Sequence, residues 1–307
     1  MITAKNYAAQ AEVGLIKHIH YLTTEESERV ADIGYVKEVL MHLHSAVKFA
    51  MPDNGIVLDD GLKGVVGYEV RLPYPSITLE YYCSDDYPKR ARSVPKCPPN
   101  SSELAHRMSN SNSMANKCVL VCIDNPDLDF IKIFRVLPVG EYWKVGIFCT
   151  ALPKVGHTEI AKGGGTTVTS STKGFYEAVM KQKNPDKYVI DMAHSMSLSD
   201  ACVVLEFLEA LTCTNVEQSI YQPASPKNAQ RIKSHKAPIY ETRCLTLKTT
   251  KKESFGGGDG ASSHKSPKQH LRRGHIRRLE KGNIWVNSCV VGDASNGIID
   301  KYYKIKK

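Results

Sequence analysis

Ser197-Leu-Ser-Asp-Ala-Cys-Val-Val-Leu-Glu-Phe-Leu-Glu-Ala-Leu211 decides how this chain is laid out. Leu198, Cys202, Leu205, Leu208 and Leu211 recur at three- and four-residue intervals, which lines them up along one helical face. Ser197 is the predicted N-cap. A stripe of that width has to be covered by another layer, and the residues before it supply one. Short β-branched and aromatic runs occupy 65–72, 77–83, 117–124, 130–137 and 142–151, punctuated by Pro, Asn and Asp, and they predict an antiparallel meander that the helix crosses.

Working outward, the first 50 residues read as helical. Thr23 is placed to cap a helix with Glu26 three residues on, and Val36, Val39, Leu40, Leu43 and Val47 follow at helical spacing until Pro52-Asp-Asn-Gly55 ends the segment. His42 and His44 are two apart and point different ways on a helix, so they are not a metal pair. His18 and His20 would share a side only on a strand. Between the second and third β runs, 85–116 is rich in Pro, Ser and Asn and reads as a long loop. Residues 161–174 contain three consecutive glycines but no terminal Gly-Lys-Ser/Thr, so they predict a polar loop and not a phosphate loop.

Beyond the helix comes a polar connector with Pro223, Pro226 and Pro238, then a predicted strand at 239–247 and a Gly/Ser-rich flexible linker or hairpin excursion at 249–269. The terminal unit reads as a strand at 284–291, a turn at 293–297 and a strand at 298–305; it is too small to stand alone, so 239–247 is expected to join its sheet. The expectation is an α+β fold in three parts: a helical region at 1–55, a central domain at 56–224 and a basic β unit at 225–307.

At 307 residues and 42% hydrophobic content, the chain can build a normal core. Its first residues lack a basic start with an apolar run behind it, and no stretch is long and apolar enough to cross a bilayer, so secretion and membrane partners are not expected. The nine cysteines sit without framework spacing, several inside apolar runs, as expected for reduced thiols in a cytosol. No motif calls for a cofactor or a metal; His264, His270, His275 and Cys289 lack zinc-ligand spacing.

Charge singles out the end of the chain. Residues 225–281 hold fifteen Lys and Arg against four Asp and Glu, a balance of +11, while the whole chain is +9. Everything outside the window therefore sums to −2. At its core, His270-Leu-Arg-Arg-Gly-His-Ile-Arg-Arg278 places four arginines and two histidines in nine residues before the strand containing Trp285. Clustered arginines fit phosphates and base edges, and a nearby indole can stack on a base, so Lys268, His270, Arg272, Arg273, His275, Arg277, Arg278 and Trp285 form the candidate nucleic-acid-binding set. A second chemistry uses fewer of them. In metal-free RNA cleavage one histidine takes the 2′-hydroxyl proton, another protonates the leaving oxygen and an arginine steadies the phosphate, which makes His270, His275 and Arg273 the catalytic candidates. A third reading is a stoichiometric inhibitor that sequesters a bacterial defence enzyme, with the basic end contacting an acidic surface.

The residues His270, Arg272, Arg273, Gly274, His275 and Trp285, approached through Ser266-Pro267, resemble a group of phage, prophage and plasmid proteins that end in a His-x-Arg-Arg-Gly-His element and a Trp-containing strand. The group includes the anti-CRISPR protein directed at the type V-A effector nuclease. Leu72-Pro-Tyr-Pro-Ser-Ile-Thr-Leu-Glu-Tyr81 and Asn215-Val216 resemble further segments of those proteins. The chain departs from them at Ile276 and Arg277, where relatives often carry Trp and His. The resemblance implies a mobile-element protein acting in the cytoplasm of the infected bacterium against its defences. It implies RNA or the translating ribosome as one partner, and a bacterial defence protein or its nascent chain as the other.

Overall fold

The computed structural model describes residues 5–24, 30–57, 69–83, 117–139, 142–155, 166–168, 184–247, 268–272, 275–286, 289–291 and 293–298. The fold is α+β. An eight-stranded mixed sheet carries helices on both faces, and short β pieces follow it.

β3 (Lys117–Ile123) shows why there are three layers. Its sequence, Lys-Cys-Val-Leu-Val-Cys-Ile, is apolar at every position after the first, as a strand covered on both sides should be. Cys118, Leu120 and Cys122 face one core, and Val119, Val121 and Ile123 face the other. Antiparallel pairing joins it to β2 (Ser76–Tyr82) and β4 (Phe130–Val139), and continues through β5 (Tyr142–Pro153) to β6 (Thr166–Val168). This is the meander expected from sequence, with one addition: β6 forms inside the stretch read as a polar loop. Residues 69–72, expected in a strand, are not in one; Val70 N–H bonds Lys154 O at 2.8 Å, and Leu72 N–H bonds Asp124 Oδ2 at 3.0 Å. Residues 65–68 and 85–116 lie outside the described residues.

The other half of the sheet comes from distant chain. β1 (Val47–Ala50) lies parallel to both β2 and β8 (Thr242–Leu247), and β7 (Val216–Tyr221) pairs antiparallel with β8 at the edge. Two expectations are corrected here. Val47 belongs to a strand and not to the preceding helix, and the 239–247 strand joins the central sheet beside β1, not the terminal unit. Burial explains the second: the Lys48–Thr242 pair sits in the interior, with Lys48 7% and Thr242 1% exposed, a cover that a small terminal unit has no layer to supply.

On one face lie α1 (Tyr7–Thr24) and α2 (Val30–Ser45). Thr23, expected to start a helix, ends one: its hydroxyl donates to His20 O. The sheet holds the open ends of both helices. Glu80 Oε2 on β2 accepts Tyr7 N–H at 2.7 Å, placing a carboxylate at the amino end of α1. Lys48 on β1 donates to His44 O and Ala46 O, each at 2.7 Å, covering the carbonyl end of α2.

The opposite face is spanned by α3 (Pro185–Leu211), a 27-residue helix, longer than the sequence reading. Its cap is Asn184, whose side chain accepts Lys187 N–H, with Pro185 in the first turn; Ser197 lies mid-helix and buried. Leu198, Leu205 and Leu208 are buried against the sheet and Cys202 and Leu211 pack beside them, as their spacing predicts. Phe207 meets Phe49 edge-on at 4.8 Å between ring centres, and each ring this deeply buried contributes about 1.5–3 kcal/mol. Arg135 of β4 pairs with buried Asp200, pinning the middle of the helix to the sheet.

Candidate nucleic-acid interface

The basic motif folds into two small β pieces. β9 (Lys268–Arg272) pairs antiparallel with β12 (Cys289–Val291) and parallel with β13 (Asp293–Ile298); β10 (His275–Leu279) and β11 (Gly282–Val286) form a hairpin. The turn expected at 293–297 is therefore part of a strand, and the strand expected at 298–305 is described only at Ile298. Gly282 closes the hairpin with φ +128°, a backbone conformation that favours glycine, and a Cβ there would crowd Thr214 Cγ2 at 3.2 Å.

That close approach is part of a dock between the hairpin and the residues just after α3. Thr214 N–H bonds Asn283 O at 2.9 Å, Asn283 Nδ2 donates to Thr212 Oγ1 at 2.9 Å, and Cys213 bridges Asn283. Asn215 then takes both outward backbone groups of Trp285, accepting its N–H at 2.8 Å and donating to its carbonyl at 2.7 Å. Its amide acts as a one-residue strand, satisfying an edge that would otherwise be open. Arg278 adds a charged tie, reaching Glu209 Oε1 of α3 at 2.6 Å; the Glu209 side chain is 3% exposed.

The dock sorts the candidate residues. Arg277 pairs across the hairpin with Ile284, and Arg278 with Asn283, so the two arginines lie on opposite faces. Arg278 is turned to the body and held by Glu209; Arg277 is exposed and has no carboxylate partner among the described residues. Trp285 is partly buried and walls a cleft of about 380 Å³ with Met51, Pro52, Val57 and Leu245 at the carboxyl ends of β1 and β8. Lys268, His270 and Arg272 lie along β9, their backbones opposite Asp293, Val291 and Cys289, and His275 opens β10 opposite Val286. His270 and His275 thus stand on strands of separate sheets. Arg273 and Gly274 lie outside the described residues, as does His264.

Among the described residues no group of three or more His, Cys, Asp or Glu could hold a metal ion, and no helix is long and apolar enough to cross a membrane. Cys118, Cys122 and Cys149 are free thiols buried in the sheet. Three parts of the arrangement escaped the sequence reading. Glu209 carried a signal, an acid in the last turns of an apolar helix. Asn215 stood out only through resemblance. The third, α4 (Ser225–Lys233), arises in the β7–β8 connection and was announced by Ser225-Pro226, a helix-start pair. The chain matches no family model, no curated protein and no solved structure.

Proposed function

We propose that this protein is an RNA-binding regulator whose docked β10–β11 hairpin presents arginine to the phosphate backbone. The observation that carries this reading is the opposite fate of two adjacent arginines. Arg278 fixes the hairpin to α3, so the strand is held, and Arg277 on its other face has no carboxylate among the described residues to neutralise it. A cation on a held strand, with no carboxylate partner among the described residues and in a window of charge +11, favours a polyanion partner. With the motif resemblance, the same reading extends to a mobile-element protein that binds RNA or the translating ribosome in an infected bacterium and counters a defence protein or its nascent chain through the larger body.

The test is sedimentation of the tagged protein from bacterial lysate through a sucrose gradient, with and without RNase. Co-migration with ribosomes or polysomes that RNase abolishes is the expected result, weakened in Arg277→Gln and in Arg272→Ala/Arg273→Ala. Sedimentation as free protein in both samples overturns it.

A further inference from the structure

We infer that α4 and the turn after it form a second surface for the phosphate backbone of RNA, separate from the terminal hairpin. The inference rests on the RNA-binding reading above for the identity of the polyanion, but on different residues. α4 connects two strands that a short turn could join, and none of its residues is buried, so the core does not account for it. Yet it is held in place from several sides. Asn228 grips Ile239 through both backbone groups, donating to its carbonyl at 2.9 Å and accepting its N–H at 2.8 Å; Arg231 Nε donates to Ala237 O at 2.8 Å. The helix end is closed by His235 in the left-handed region at φ +53°, with Lys236 N–H bonded to Arg231 O and His235 N–H to Ile232 O.

What this braced element displays is one sign of charge. From Gln218 to Tyr240 there is no Asp or Glu, while Lys227, Arg231, Lys233 and Lys236 are all cations. Lys227, Lys233 and Lys236 are exposed and have no carboxylate partner among the described residues. The acid that follows, Glu241, is already engaged by Arg243 at 3.5 Å and by Gln222 at 3.0 Å. The chemistry discriminates among polyanions. A membrane-surface helix needs a broad apolar face, and α4 offers a single large apolar side chain, Ile232. A protein interface is anchored by buried aromatics, and α4 contains none. Spaced cations with neither feature fit a repeating phosphate array. β7 runs from Val216, next to Asn215 of the hairpin dock, to Tyr221, near α4, so the two basic surfaces sit at opposite ends of the sheet's edge strand.

The experiment measures fluorescence anisotropy of a labelled single-stranded RNA of about 30 nucleotides with the full chain, titrated across about 50–300 mM salt. Lys227→Gln/Lys233→Gln/Lys236→Gln is expected to bind at least about tenfold more weakly, with a log–log salt slope shallower by about 2, since each lost contact on a single strand removes roughly 0.7. The matching Lys→Arg triple is expected to retain the affinity. Circular dichroism and Tm of both triples are expected to equal the parent, because these side chains are exposed. Unchanged RNA affinity in the Gln triple overturns the inference, as does binding that moves to phosphatidylserine vesicles or poly-glutamate. Arg277→Gln separates the two readings: if it weakens binding and the Gln triple does not, only α4 is wrong; if the Gln triple weakens binding and Arg277→Gln does not, the hairpin reading fails and this one stands.

Discussion

Asn215 and Trp285 are joined by two hydrogen bonds that close a ring between a side-chain amide and a backbone, at 2.7 and 2.8 Å. They hold the β10–β11 hairpin to the end of α3. Asn215→Ala leaves the N–H and carbonyl of Trp285 without these partners in a partly buried place, at a cost of about 1–3 kcal/mol. The expected outcome is faster hydrogen exchange at the Trp285 amide, with exchange in β3 unchanged. Equal protection of Trp285 in the variant would falsify the role.

The Arg278–Glu209 pair should couple hairpin and helix energetically. Arg278→Met takes the cation from a carboxylate that is almost fully buried, and the half-exposed arginine keeps the expected loss near 1–3 kcal/mol. Adding Glu209→Gln is expected to return part of it. A double-mutant cycle by urea denaturation checks this, and strictly additive single effects would show that the pair is not coupled.

Gly14 lets α1 lie against β5. A Cβ at this position would stand 2.7 Å from Trp143 Cβ and 2.8 Å from its Cγ, with the indole buried and unable to retreat freely. Gly14→Ala is therefore expected to destabilise the fold by about 1–3 kcal/mol despite alanine's better helix propensity. Gly34 provides the control, since nothing lies within 4 Å of its added Cβ and Gly34→Ala should stabilise or be neutral. Comparison of the two Tm values decides it.

Glu80 makes stability depend on pH in a particular direction. Burial pushes its carboxyl from an ordinary 4.5 up to about 7, against the opposing pull of the Tyr7 and Ala8 N–H groups and Lys48. The folded chain thus holds this proton more tightly than the unfolded chain does. Its contribution is fully present below about pH 4.5 and falls as pH rises towards about 7, by up to roughly 3 kcal/mol. Glu80→Gln keeps an acceptor for Tyr7 and cannot ionise. Denaturation of both proteins at several pH values should show the variant gaining on the parent as pH rises through that window; parallel curves would remove Glu80 as the cause.

Much of the fold was legible because its signals are local. Alternation and apolar runs marked β2 to β5 within a few residues, the leucine spacing marked the buried face of α3, and counting charge isolated the basic window. The start of α3 was misplaced because Ser197 looks like a cap from its neighbours alone, although the preceding turns continue the helix back to Asn184. The motif residues were visible as a set, but their division was not. Whether Arg277 or Arg278 faces solvent depends on which side of the hairpin meets Glu209, and no periodicity in β10 encodes that.

What the sequence determined by itself was the central inventory: the strands β2 to β5, the apolar face of α3, which faces need covering, and where the positive charge lies. The tertiary structure alone decided the partners. Lys48 pairs with Thr242 and Asn215 with Trp285 across long stretches of chain. Such pairings are selected by burial and by the satisfaction of backbone groups in the assembled molecule, and these energies exist only once distant segments meet.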